Sequence, residues 1–337
     1  MRDLQKFLIV ALTCLAWVEV NAAQPPAIRF LSAAEARGVL TEGAARDYYD
    51  SLQIADIRSK TGLALVGVPL AAAREQARQA YGAATLDFTA DEQAALREAV
   101  ASMQPSLAAH APLYARMPWS FIKLSPTIEG GRPHTRGDSI VLSDVVTAWV
   151  VKMRMKAALT TPSLVWNLLV HEQTHVIQRQ HPELFTALYT STFGFQHVTL
   201  LPTPTWLSSL RVINPDAPDV DWIFSIDQGA GGHWWLPDLL INNRDHPQMP
   251  MGFQMVALGV KRQGDKWEYL DPVSPGNPQL LYGIDAYIQR FPIHDELFHP
   301  NEIAANMLAA WITGVRIKDP DNPMWNKMSA WAAGALK

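Results

Sequence analysis

The sequence has a single cysteine among its 337 residues, so it has no pair with which to form a disulfide. A small extracellular scaffold held by disulfide bridges is therefore excluded, and stability must come from a hydrophobic core and any bound metal. The chain also has no N-x-Ser/Thr glycosylation sequon. Its formal net charge is only −4, without a basic cluster, so we expect neither nucleic acid nor an anionic membrane as a partner.

The first residues have the pattern of an export signal. Basic Arg2 and Lys6 precede an almost wholly apolar run from Phe7 to Val18, and Asn21-Ala22-Ala23 offers small residues for cleavage. The run is shorter than the roughly 20 residues that span a membrane, which disfavours the alternative of an uncleaved anchor. We predict a signal peptide at residues 1–23, which includes the only cysteine, and a periplasmic or secreted mature chain.

The most informative motif is the H-E-x-x-H string formed by residues 171–175. Positions i and i+4 of an α-helix lie on one face, one turn apart. His171 and His175 can therefore direct one ring nitrogen each at a common zinc ion, at about 2.0–2.1 Å. Glu172 lies beside that face and is expected to act as the general base. The alternative is a chance match with hydrogen-bonded core histidines.

The residues around the motif predict a helix over about 162–180, with Thr161 as the N-cap and Pro162 as its first residue. The helix carries two adjoining stripes, Leu164, Leu168, His171 and His175 on one and Val165, Leu169 and Val176 on the other. Burying two histidines and a glutamate is costly unless they have partners, which favours a metal site.

A catalytic zinc normally has a third protein ligand, for which the sequence offers two main candidates. His181 has the spacing of the H-E-x-x-H-x-x-G-x-x-H pattern, but Gln178 stands where that pattern has glycine. If the helix continues, His181 is rotated by about 600° and displaced by about 9 Å from His175, so that it points away from the metal. Pro182 also disfavours helix at His181.

Glu302 is the favoured third ligand, because it lies in the first turn of a helix that begins near Pro300. Asn306 follows one turn later on the same face, where it could hydrogen-bond near the metal. Asp295 and Glu296 remain alternative acidic ligands. Glu302 could also simply stabilise the helix N-terminus through the helix dipole.

The set of His171, Glu172, His175, Glu302 and Asn306 resembles the glutamate-zincin metallopeptidases, over about residues 119–315. The resemblance implies Zn²⁺ held by the two histidines and Glu302, with Glu172 as the catalytic base. It also implies a mixed sheet with an edge strand beside the active-site helix.

That edge strand would be Ser139–Ser143, free to pair with an extended peptide or protein substrate. Three residues near Glu302, namely Tyr287, His294 and His299, are open candidates for stabilising the oxyanion.

The wider pattern predicts an α+β fold, with a mainly helical N-terminal region at 24–118 and a zincin-like metallohydrolase domain at 119–337. Further helices are expected at 69–81, 144–158, 182–193 and 300–313, and one more from the Thr89 capping box to before Pro105. Strands are expected at 119–124 and 139–143, and a hairpin is expected of 253–260 with 266–270.

The expected function is that of an exported zinc metallopeptidase. One alternative is a binding protein that retains a metal without turnover. Another is a glycan-binding module built on tryptophans such as Trp222, Trp234, Trp235 and Trp267. The segment Gly229–Gly232 lacks the flanking strand and helix of a dinucleotide-binding loop.

Overall fold

The computed structural model describes residues 26–226, 233–242, 252–274, 277–293, 295–317 and 319–337. The predicted signal peptide, the Gly229–Gly232 segment and His294 lie outside these ranges. Within them the chain is an α+β protein, as the sequence predicts. None of the described helices is both long and apolar enough to serve as a membrane span.

The helices, in chain order, are α1 Ala33–Thr41, α2 Ala45–Ser51, α3 Ile54–Thr61, α4 Leu70–Ala83, α5 Ala90–His110, α6 Pro112–Arg116, α7 Asp144–Met155, α8 Leu164–Gln180, α9 Pro182–Ala187, α10 Thr205–Ser208, α11 Asp285–Arg290, α12 Pro300–Thr313 and α13 Pro323–Ala335. The strands are β1 Ile28–Phe30, β2 Thr85–Leu86, β3 Trp119–Leu124, β4 His134–Arg136, β5 Ser139–Ser143, β6 Gln196–His197, β7 Trp222–Ser225, β8 Trp234–Ile241, β9 Phe253–Gln263, β10 Lys266–Tyr269 and β11 Gln279–Leu280. A π-helical turn, Leu188–Phe193, extends α9.

The first sheet is mixed, with the strand order β1-β3-β5-β4. Strands β1, β3 and β5 run parallel, whereas β4 runs antiparallel to β5, and β2 pairs with β3. The prediction that Ser139–Ser143 forms the edge strand is wrong, because this strand is flanked on both sides. The edge is the short strand β4, which is joined to β5 by the turn at Gly137 and runs antiparallel to it.

Alternating side chains of the first sheet enter two separate cores, since neighbouring residues of a strand face opposite sides. Trp119 and Phe121 pack into the larger core with helices α5, α8, α12 and α13. Ile122 and Leu124 pack into a second core with helices α1 to α4. The sheet is therefore the middle of three layers, and the 24–118 region contributes β1 and β2 to it.

Three helix predictions need correction. Helix α8 begins two residues later than predicted, with Ser163 as the N-cap rather than Thr161, because the Ser163 hydroxyl accepts the Trp166 N–H. Helix α5 continues through Pro105 to His110, with Met103 and Leu107 buried on either side of the proline. The chain also has α13 after α12, which the sequence analysis did not predict.

The second sheet has the order β10-β9-β8-β7-β6, with β11 also paired to β9. The predicted hairpin is confirmed as β9 and β10, in the register Lys266 to Gln263. Three of the tryptophans named for the alternative of glycan binding take part in packing here: the Trp234 and Trp267 rings meet edge to face with their centroids 5.2 Å apart, and Trp222 is buried. Strands β8, β9 and β11 bring Leu239, Phe253 and Leu280 to the cavity described below.

Candidate metal centre

The two motif histidines converge as the helical spacing predicts. Their Nε2 atoms face one another at 3.1 Å on α8. Oε2 of Glu302, on α12, lies 3.4 Å from each of them. Ligands about 2.0–2.1 Å from a tetrahedral zinc are about 3.3 Å apart. The three side chains already have that spacing, and they form a potential metal-binding group in the described residues.

The position of Glu302 follows from how α12 begins and packs. Pro300 occupies the first turn, and the His299 ring caps the helix by accepting the Asn301 N–H. The helix packs against α8 through small buried residues such as Ala304 and Ala305, which allow the two backbones to approach closely. Glu302, in the first turn of α12, is therefore carried to the histidine face of α8, with its side chain only 2% exposed.

Two amide side chains orient the ligand atoms. Gln178 Oε1 lies 2.8 Å from His175 Nδ1, so in the neutral ring the proton is on Nδ1 and Nε2 has the lone pair that a metal would use. Gln178 is in turn fixed by donating to the Asn301 carbonyl at 2.9 Å. Asn214 donates to Oε1 of Glu302, which leaves Oε2 for the histidines. Oε2 accepts no hydrogen bond from the part of the chain that the structure describes.

Asn306, predicted to support the metal site, has a different partner. Its side chain donates to the backbone carbonyl of Glu302 at 3.1 Å rather than to the carboxylate. The supporting role near Glu302 is taken by Asn214, which lies 88 residues earlier.

The competing ligand candidates are not part of the group formed by His171, His175 and Glu302. His181 is the C-cap of α8 and is absent from the metal-binding group found among the described residues. Asp295 is largely exposed and lies 3.9 Å from Arg316. Glu296 is nearer, with Oε2 3.9 Å from His171 Nε2, and it also forms an ion pair with Arg132.

Neither of the two described oxyanion candidates has a free donor. The Tyr287 hydroxyl donates to the Leu297 carbonyl at 2.7 Å. In His299, Nε2–H donates to the Asp219 carbonyl at 2.7 Å, while Nδ1 accepts the Asn301 N–H. Both residues have structural partners, and the third candidate, His294, lies outside the described residues.

Glu172 is buried beside the ligands, and its Oε2 has no hydrogen-bond partner within the described ranges. Burial raises the pKa of this carboxyl well above its usual value, and the Asp216 and Glu302 carboxylates raise it further. For His175, burial acts to lower the pKa, but the Glu302 and Asp216 carboxylates outweigh it and raise the pKa to about 9. The buried carboxylates thus raise the pKa values of their neighbours, and a bound cation would act in the opposite direction.

The ligands open onto a cavity of about 850 Å³. Polar residues of its lining include Arg132, His134 and Glu296. Apolar residues of its lining are Trp149, Leu164, Leu168, Phe253, Met255 and Leu280. Leu164 and Leu168 share the histidine stripe of α8, so part of the apolar lining follows this helix away from the candidate ligands.

The outer edge of β4 is covered by the loop that carries Asn214. The Thr135 N–H donates to Oδ1 of Asp216 at 2.8 Å, and the Arg179 side chain bonds to the same carboxylate and to Thr135. The expectation of a free edge strand beside the helix is therefore wrong at Thr135. At the end of α8, Gln178 donates to the Asn301 carbonyl and Arg179 donates to Asp216.

The comparisons with protein-family models, with curated proteins and with solved structures find no match to this chain. What supports a metal at this centre is thus the arrangement of the side chains themselves: three ligand atoms at the right spacing, each oriented by a neighbour or by its helix.

Proposed function

We propose that this chain is an exported zinc-dependent hydrolase of the zincin type that cleaves peptides or proteins. The observation that carries the proposal is the triangle of His171 Nε2, His175 Nε2 and Glu302 Oε2, with sides of 3.1–3.4 Å. The buried Glu302 Oε2, which accepts no hydrogen bond from the described residues, fits a divalent cation. Zinc suits two imidazoles and one carboxylate as ligands.

The layout around the triangle also supports a zincin-like site. A mixed sheet ends in the antiparallel strand β4, and α8 contacts both β4 and β5. The ligand helix α8 and the helix α12, which supplies the glutamate, pack against one another. A cavity of about 850 Å³ beside them has room for several residues of a peptide.

In this proposal the bound zinc supplies a Lewis acid that polarises the substrate carbonyl and makes water a better nucleophile near neutral pH. Glu172 accepts the proton of the attacking water and then delivers it to the leaving amine. The buried position of Glu172, without another hydrogen-bond partner for Oε2 in the described chain, keeps that oxygen available for the transfer. Asn214 and Gln178 hold the ligand side chains in place.

The experiment is to compare the zinc-loaded wild-type protein with Glu172→Gln on a pool of internally quenched fluorogenic peptides. Removing the base is expected to lower the cleavage rate by about 10²–10⁴-fold while the zinc content stays unchanged. Glu183→Gln, at an exposed position on α9, is the matched control and should cleave like the wild type.

Unchanged cleavage by Glu172→Gln would contradict the role of Glu172. A wild-type protein that holds zinc but cleaves no peptide in the pool would contradict the peptidase assignment and favour a binding protein that retains its metal.

A further inference from the structure

We infer that Glu296 is a fourth protein ligand available to the metal, and that its ion pair with Arg132 keeps its carboxylate off the metal. The inference rests on the proposed zinc site, and it adds a residue that the three-ligand set does not include. It begins from the position of Glu296, whose carboxylate lies between the ligand His171 and the guanidinium of Arg132.

The distances place the Glu296 carboxylate within reach of a metal. Oε2 lies 3.9 Å from His171 Nε2. An ion about 2.0–2.1 Å from that nitrogen lies no farther than about 6 Å from Glu296 Oε2. Rotation about the side-chain bonds of a glutamate moves its oxygens by a few ångströms, and the inference requires a movement of this kind.

The other oxygen of the Glu296 carboxylate forms the ion pair with Arg132. Arg132 precedes the edge strand β4, whereas Glu296 precedes α12, so the pair bridges two elements that line the cavity. Both side chains retain solvent exposure, 42% for Arg132 and 28% for Glu296, and the ion pair is therefore weak enough to exchange.

The backbone of Glu296 is held in a conformation that few residues other than glycine adopt, with φ of 54°. Such strain persists where the surroundings fix the backbone, and it is common at functional sites. Here the buried residues Leu297 and Phe298 follow directly and fix the chain before α12. In this backbone conformation Oε2 of Glu296 lies 3.9 Å from His171 Nε2 while the side chain keeps 28% exposure.

The two positions of Glu296 imply two forms of the centre. With Glu296 on Arg132, the metal has three protein ligands, which is the arrangement of catalytic zinc sites. With Glu296 on the metal, four protein ligands complete the tetrahedron and exclude water, as in structural sites. Arg132 would thus keep the centre open.

The test measures metal affinity in the full purified chain by competition with a chelator, using Zn²⁺ and Co²⁺ as probes. Arg132→Ala frees Glu296 and is expected to tighten metal binding by about tenfold or more. Combining it with Glu296→Asp keeps the charge but shortens the side chain by one methylene, and is expected to abolish the gain. Arg316→Ala, which removes another cavity arginine, controls for the lost positive charge and should change affinity little.

The absorption of the Co²⁺ protein reports the coordination directly. Added azide should alter the visible bands of the wild type, where a position is open, and should leave those of Arg132→Ala unchanged. The inference is overturned if Arg132→Ala binds metal no more tightly than Arg316→Ala, or if the gain persists with Glu296→Asp. A wild-type protein that binds neither metal stoichiometrically would instead reject the proposed zinc site itself.

Discussion

Two buried polar clusters lie near one another in this molecule and differ in how their charges are balanced. The first, here called the ion-pair cluster, consists of Asp56, Lys60, Glu129 and Arg136. Lys60 Nζ lies 3.2 Å from both carboxylate oxygens of Glu129 and 3.7 Å from Asp56. The Arg136 guanidinium lies 3.6 Å from Glu129. Two cations thus face two carboxylates, and the cluster is neutral within itself.

The metal centre has the opposite character. Among the described residues, no Lys or Arg forms an ion pair with Glu172 or Glu302, and the groups paired with Glu302 Oε2 are the two histidine nitrogens. Unsatisfied oxygens occur in both clusters, since Asp56 Oδ1, Glu172 Oε2 and Glu302 Oε2 all accept no hydrogen bond from the described chain. The clusters therefore differ in their cations: Lys and Arg balance the first, whereas we propose that a bound metal ion balances the second.

The clusters are also connected through one loop. Lys60 donates to the Ile213 carbonyl at 2.6 Å, and Asp56 accepts the Ile213 N–H at 3.2 Å. The next residue, Asn214, holds the Glu302 carboxylate. The ion-pair cluster therefore anchors the backbone from which the metal centre is oriented.

The largest loss of stability is expected from removing the lysine of the ion-pair cluster. Lys60→Met leaves two buried carboxylates facing one cation and should lower the free energy of unfolding by about 3–5 kcal/mol. Urea unfolding of the metal-free protein measures this. Lys152→Met, at an exposed position on α7, is the control and should change stability by less than about 0.5 kcal/mol. Equal effects of the two variants would show that the cluster does not stabilise the fold.

A smaller effect is expected at His299, a buried group whose ring nitrogens both have partners in its neutral form. Burial lowers the pKa of His299 to about 4, below its usual value of about 6.5. As the pH falls, His299 binds a proton in the unfolded chain at a higher pH than in the folded chain. The free energy of unfolding therefore falls as the pH drops from about 6.5 to about 4. The contribution lost is about 3 kcal/mol.

The measurement for His299 is urea unfolding of the metal-free protein at pH 7 and pH 4, in wild type and in His299→Asn. Asparagine also caps helices but does not titrate. The stability of the wild type relative to the variant should therefore fall by about 3 kcal/mol over this range. If the difference in free energy of unfolding between wild type and variant stays constant with pH, His299 is not kept neutral in the folded protein.

The smallest expected effect is on zinc affinity, and it differs between the two amide side chains near Glu302. Asn214→Ala removes the donor to the carboxylate and should weaken zinc binding by about 10–100-fold, or about 1.4–2.7 kcal/mol. Asn306→Ala removes only a bond to the Glu302 backbone and should change affinity by less than about threefold. Chelator competition measures both, and the reverse order of effects would contradict the assigned contacts.

The sequence predicted the parts of the site that depend on local periodicity. His171 and His175 meet because their spacing matches one helical turn, and α12 begins at Pro300 and ends before Gly314, as the proline and glycine indicate. The amides Gln178 and Asn214 were missed, because a single Gln or Asn has no pattern that reveals its partner. The Asn214 contact joins residues 88 positions apart.

The edge strand was misassigned for a similar reason. Strand β4 has only three residues, too few for an alternating pattern, so the sequence offers only the longer apolar strand β5 as the edge strand that the resemblance implies. Likewise, Thr161 and Ser163 are both suitable N-caps, and only the bond to Trp166 distinguishes them. Helix α5 continues through Pro105 because the buried residues on both sides of the proline hold it in the core, which overrides the local preference.

The most direct test of the central claim is metal analysis of the purified mature protein in wild type, His175→Ala and Glu302→Ala. The account predicts one zinc per chain in the wild type and loss of zinc in both variants, with near-ultraviolet circular dichroism showing that each variant is folded. A wild-type protein without zinc, or a folded Glu302→Ala variant that retains it stoichiometrically, would contradict the proposed ligand set.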